Sequence, residues 1–299
     1  MSRRTWLFAI GFTLVVAMAG VLLVAFAPGR FRWGPPEMPK AQCEALTAVA
    51  RLAPDVKAAL ALVYRERVAG AIVREPQNTW SNLAFVFVGA LVWVHDRRTF
   101  ARLLGTSLVA LGIASGLYHA SLLPWLRTMD VATMGWVSFA LCCHGYSAGS
   151  SRPPSEQSAA GSPSPRGLWI GVIGGVLAIT AAIVRNRVQI AGVKPFDTTY
   201  TTIAGIAGVF VLASVGIMRA VRARPGTRAP FVRLGVVSLV VALGVFCQLN
   251  DRAGRCLCAP DGPIQAHAAW HMLMAMAVAL TYNLFALIEG RPGLGRRTI

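Results

Sequence analysis

The feature that most constrains this chain is the recurrence of apolar runs long enough to cross a lipid bilayer. A helix crossing the hydrocarbon needs about 20 mainly apolar residues. Eight stretches approach or meet that length: Trp6–Ala27, Trp80–His95, Leu103–Leu126, Val131–Gly149, Gly167–Val184, Thr199–Met218, Leu234–Leu249 and Ile264–Ile288. Several are rich in Gly and Ala, which lets helices approach closely in lipid. None shows the period-2 alternation of a transmembrane barrel. Composition agrees: only 14% of the 299 residues are charged, against about 25% in a globular domain, while 55% are hydrophobic and the mean hydropathy is +0.57. So few charges cannot clothe a water-soluble chain of this size. The expected fold is an all-α integral membrane protein, a seven-transmembrane-helix bundle plus one extra N-terminal transmembrane helix.

A net charge of +17 would suit nucleic acid, but the arginines sit in short clusters between the apolar runs and no nucleic-acid-binding motif interleaves them. They read as topology signals, and nucleic acid is not an expected partner. With the N-terminus inside, the inside segments hold Arg3 and Arg4, Arg97, Arg98 and Arg102, Arg152 and Arg166, the cluster Arg219 to Arg233, and Arg291, Arg296 and Arg297. The short outside loops hold only Arg127, Arg185, Arg187, Lys194, Arg252 and Arg255. Lys and Arg favour the cytoplasmic side, which puts both termini there. Four parts follow: an anchor or signal segment (1–28), an extracytoplasmic segment with an amphipathic Ala41–Arg67 pattern (29–74), the seven-helix unit (75–290) and a cytoplasmic tail (291–299). Residues Ser150–Arg166 form a Pro/Ser linker. Ser2, Arg3 and Arg4 ahead of the first run also suit a signal peptide, but a 22-residue uncharged run exceeds a usual h-region and favours a retained anchor. Cys43, Cys256 and Cys258 fall outside, where a bridge from Cys43 to either partner could persist. Cys142, Cys143 and Cys247 lie in spans and read as packing.

Ionisable groups at membrane depth are costly and default to functional hypotheses. Ser115 and His119 lie four apart, on one face of the third span. Asp130 follows just inside the fourth, and His267 and His271 are again four apart in the eighth. All five fall in the outer half of the bundle. Three neutral imidazoles are a catalytic zinc set that leaves one position open for water. Asp130 would take or orient that water's proton, and Ser115 could bond the oxygen where negative charge develops. Two alternatives stand beside this: a lipid-responsive receptor with structural zinc, and a haem protein using facing histidines as axial ligands. His95 and His144, toward the other end, read as interface or packing residues. At the start of the second span, Glu75-Pro76-Gln77-Asn78-Thr79-Trp80-Ser81-Asn82 reads as a helix start capped by Asn78 or Thr79. That reading leaves Ser81 and Asn82 unexplained.

Taken together, the Glu75 to Asn82 segment, Ser115 with His119 and then Asp130, and His267-Ala268-Ala269-Trp270-His271 resemble the alkaline ceramidases. These belong to a wider superfamily of seven-span hydrolases that includes the adiponectin receptors. The resemblance spans about Glu75 to Glu289. It implies zinc on His119, His267 and His271, with a water between zinc and Asp130 and Ser115 beside the substrate carbonyl. It also implies hydrolysis of the amide that joins a fatty acid to a sphingoid base, on a ceramide-like membrane lipid. The family's calcium site would map onto Glu44 and Glu75, but Ala41 and Leu46 stand where further ligands belong. Calcium wants six or more oxygens, so Glu44 and Glu75 read as a remnant. The family's disulfide would join Cys43 to Cys256 or Cys258. Residue usage has a bacterial look, which would place the site on the periplasmic side of an inner membrane.

Overall fold

The computed structural model describes residues 3–26, 73–150, 229–251 and 265–291, together with Val215, Met218, Leu257, Gly293 and Leu294. Glu44, the three outside cysteines and most of the fifth and sixth expected spans lie outside the described residues. Among those described, every regular element is helical: α1 (Arg3–Phe26), α2 (Pro76–Ser81), α3 (Leu83–His95), α4 (Thr99–Ser121), α5 (Pro124–Ser150), α6 (Ala229–Asn250) and α7 (Ala266–Ile288). Three of them, α4, α6 and α7, are long and apolar enough to cross a membrane. Large apolar side chains such as Leu14, Val15, Val232, Leu239 and Met272 are exposed. Lipid accommodates such a surface and water does not.

The core lies between α3, α4, α5 and α7, where Phe85, Leu104, Leu108, Leu111, Val137, Ala140, Ala275, Val278 and Tyr282 pack together. The α3–α4 contact is set by small residues. A Cβ at Gly89 would lie 2.7 Å from the Gly105 carbonyl oxygen, and one at Gly112 would lie 2.6 Å from Val86 Cγ2 and 2.8 Å from the Asn82 carbonyl oxygen. Without side chains at these points the two backbones approach closely, as helices in lipid do. That approach carries Ser81 and Asn82, at the head of α3, alongside the end of α4.

The third expected span ends earlier than Leu126. Pro124 has no N–H and biases Leu123 away from the α region, so α4 stops at Ser121 and Pro124 opens α5. Between them Leu122 adopts a left-handed conformation, φ 51°, with its side chain fully buried beside Tyr118 and Leu126. A non-glycine residue there costs about 1–2 kcal/mol, which the burial of a leucine offsets. The sharp α4–α5 turn returns Asp130 toward the last turn of α4, where His119 sits.

The N-terminal helix α1 packs on α3. Trp6 lies 5.8 Å from Phe87 between ring centroids, and Ala9 is enclosed with Ala90 and Leu91. At the start of α2, Glu75 rather than Asn78 or Thr79 is the N-cap, with no side-chain cap bond. Its side chain is occupied elsewhere, as described next.

Candidate metal centre

Helix α4 delivers His119 from its last turn, and α7 delivers His267 and His271 from its first two turns. The i, i+4 spacing puts the α7 pair on one face, turned toward α4. The three ring centroids are 4.6, 5.0 and 5.1 Å apart, with the planes inclined at 60–79°. One ligand atom from each lies within 4.8 Å of the others, a group that could hold a metal ion. His119 and His271 are buried and His267 nearly so.

The polar octapeptide at Glu75 serves this trio. Glu75 Oε2 accepts a 2.5 Å hydrogen bond from His119 Nδ1 and a 3.2 Å bond from Asn78 Nδ2. Ser81 Oγ lies 2.8 Å from His271 Nδ1 and donates to the Asn78 carbonyl at 2.9 Å. Because the Ser81 proton is committed to that carbonyl, the tautomer that fits has His271 Nδ1–H donating to Ser81 and Nε2 bare. His271 Nε2 is buried without a hydrogen-bond partner. An orphaned imidazole nitrogen facing two other imidazoles suits the chemistry of a zinc ligand set, in which the second ring nitrogen is held by an oxygen. Asn82 Nδ2 donates to the Asn78 carbonyl at 2.7 Å and lies 3.3 Å from His271 Nδ1. Ser81 and Asn82, unexplained as parts of a helix start, thus line the back of a histidine.

The backbone around Glu75 also closes the end of α4. The Arg74 and Glu75 amides donate to the Ala120 and His119 carbonyls at 3.0 and 3.1 Å, and the buried Arg74 guanidinium donates to the Ser121 carbonyl. These carbonyls have no partner within the helix, and a cation there also complements the helix dipole. The turn that carries His119 is thereby pinned.

Asp130 and Ser115 are buried. Ser115, His119 and Arg127 are polar neighbours of the Asp130 carboxyl. Asp130 Oδ1 and Ser115 Oγ have no hydrogen-bond partner. Buried oxygens left open in this way are uncommon, and here two of them adjoin a three-histidine cluster.

A carboxylate that the sequence did not single out completes the arrangement. Asp251, one residue beyond α6, has Oδ2 3.6 Å from His267 Nδ1. It sits after an apolar run and before Arg252, where it looks like an ordinary interfacial residue. Only the packing of α6 on α7 brings it to the site. His95 and His144 stay apart from the trio, near Tyr282 at the other end of the core. Cys142, Cys143 and Cys247 are free and half-buried.

A family model described as Ceramidase matches residues 68–291. The chain belongs to the Ceramidase family. A separate comparison with curated proteins finds no match. Membership in the Ceramidase family supports a hydrolase acting on an amide bond of a lipid, associated with a membrane.

Proposed function

We propose that this protein is a zinc-dependent intramembrane hydrolase that cleaves the N-acyl amide of ceramide or a similar lipid amide, releasing fatty acid and sphingoid base. The observation that carries the reading is the convergence of His119, His267 and His271, with open oxygens on Ser115 and Asp130 beside them. Family membership supports the reaction class. Rings inclined to one another around a common point suit a small ion, whereas a haem needs two of them facing across its plane. A receptor with structural zinc would have no use for an open carboxylate and hydroxyl at the metal.

His119, His267 and His271 would hold the zinc, which when bound supplies Lewis acidity and brings the pKa of a water to about 7. Asp130 takes a proton from the attacking water and passes it to the amide nitrogen, so that the new C–O bond forms as the C–N bond breaks and the amine leaves neutral. Ser115 donates its O–H to the carbonyl oxygen as negative charge builds there. Glu75 and Ser81 hold two of the imidazoles in the tautomer that leaves Nε2 for the ion. With Glu75 turned to His119, a calcium role for Glu44 and Glu75 has no further support.

The wider frame of the proposal is a seven-span unit over residues 75–290 with an additional anchoring helix in 1–28, in a bacterial inner membrane with the site on the periplasmic side. The charge distribution between segments supports that orientation.

The test is zinc content and ceramide turnover of the detergent-purified chain and of His267→Ala. Loss of a Lewis acid worth several kcal/mol predicts a fall of about a thousandfold or more, together with loss of stoichiometric zinc. Full turnover by a zinc-free variant would reject the reading. A parent chain that carries stoichiometric zinc but turns over no lipid amide would leave the receptor in its place, and an Asp130→Asn variant with full turnover would reject Asp130 as the proton carrier.

A further inference from the structure

We propose that Asp251 is a positioning residue for His267, fixing both the ring and the helix start from which it projects; this rests on the zinc reading above. Helix α7 begins at Ala266, and its N-cap, Gln265, is extended and makes no side-chain cap bond. The first amides of a helix have no partner within it. The Asp251 carboxylate, supplied from just beyond α6, faces the His267 amide at this helix start. The same carboxylate places Oδ2 3.6 Å from His267 Nδ1. One side chain therefore lies against the histidine at both its backbone and its ring.

The position is nearly sealed, with the Asp251 and His267 side chains only 11% and 12% exposed. An acceptor for one helix amide could be Asn, Ser or Thr at no cost in charge. A carboxylate taken out of water calls for positive charge close by. Three neutral imidazoles bring none, but a divalent ion held by them does. Glu75, fully buried behind His119, makes the same demand. Two carboxylates behind two of the ligands match the double charge of the ion, while His271 is held by the neutral Ser81 hydroxyl. Asp130 Oδ1 keeps no hydrogen-bond partner, which suits the proton transfer proposed above.

The experiment uses the detergent-purified full chain, with zinc affinity measured by chelator competition and thermal unfolding followed on the metal-free protein. Partners behind metal-bound histidines are worth about 10–100-fold in affinity. Asp251→Ala is expected to weaken zinc binding by about that factor. Asp251→Asn keeps an acceptor for the amide and the ring but no charge; it should fall between Ala and the parent, with metal-free unfolding unchanged from the parent. Parent-like zinc affinity in both variants would overturn the assignment while leaving the zinc centre intact. So would affinity losses that merely follow equal losses of metal-free stability, since a plain helix cap predicts that pattern. A parent chain that binds no zinc would overturn the zinc reading, and this inference with it.

Discussion

The two ends of the bundle each gather ionisable side chains, and they are built on opposite plans. At the histidine end, His271 Nε2, Ser115 Oγ, Asp130 Oδ1 and Glu75 Oε1 are all buried without a hydrogen-bond partner. At the other end, about 30 Å away by the rise of α4, Asp96, Arg98, Glu289 and Arg291 satisfy one another. Arg98 donates to Asp96 at 2.8 Å and to both Glu289 oxygens at 3.1 Å. Arg291 donates to Asp96 at 2.9 Å and to Glu289 at 2.6 Å, and the Tyr282 hydroxyl reaches Asp96 at 3.1 Å. Two cations and two anions close a neutral network that ties the α3–α4 connection to the end of α7. His144, stacked on Tyr282 with an unpartnered Nε2, is the exception there. Satisfied charges hold helices in place; the open polar atoms beside the three histidines are those the proposed zinc and substrate would engage.

That contrast can be broken from either side. The largest effect is expected from Asp96→Ala, which leaves Arg98 and Arg291 facing each other without their shared anion. Removing one member of a buried ion network costs about 3–5 kcal/mol, and partial exposure of both arginines places the expected loss near 3 kcal/mol. Chemical unfolding of the metal-free chain would measure it, while the zinc stoichiometry of the folded fraction should stay at the parent's value. A variant that unfolds normally but loses zinc would mean that the two ends are not separable in this way. Ser81→Ala should behave in the opposite sense. It removes the acceptor behind His271 without touching the satisfied end, and zinc affinity should drop about tenfold with little change in unfolding.

Acid supplies the smallest and most specific probe. Burial alone would raise the Asp96 carboxyl, but the hydrogen bonds and charge of Arg98, with Arg291, outweigh it and hold the group well below the usual carboxylate range. Its folded pKa lies below its unfolded value of about 3.9. The stability it contributes is therefore complete above that value and is lost as pH falls through the folded pKa. Between pH 7 and 5 the metal-free chain should owe no change in unfolding temperature to Asp96. Below about pH 4 it should weaken, and Asp96→Asn should lack that increment of acid sensitivity. Identical acid profiles for the two would show that the network does not depend on this charge.

Much of the candidate site is legible in the sequence because its chemistry is scarce. A chain with five histidines and 14% charge has few places to put ionisable groups inside apolar runs, so His119, Asp130, His267 and His271 stand out, and i, i+4 spacing puts the α7 pair on one face. The apolar runs likewise announced helices at α4, α6 and α7. Other features were hidden for physical reasons. The break at Ser121 needed Pro124 to be read as a helix start inside an apolar stretch. Ser81 looks like a helix-start residue because the hydroxyl that bonds the Asn78 carbonyl is the one that receives His271, and only the second contact is tertiary. Asp251 has no local signal at all.

What the sequence determined by itself was the solvent and the ingredients: apolar runs too long and too little charged for water, helical because lipid leaves the backbone no other partner, with a few costly polar groups that lipid would expel unless they had work to do. What the tertiary structure decided was which oxygen stands behind which imidazole. That depends on how closely α3 approaches α4 over Gly89, Gly105 and Gly112, and on where α6 ends against α7. Spacing along a chain fixes the face of a helix on which a side chain lies; only packing fixes what that face meets.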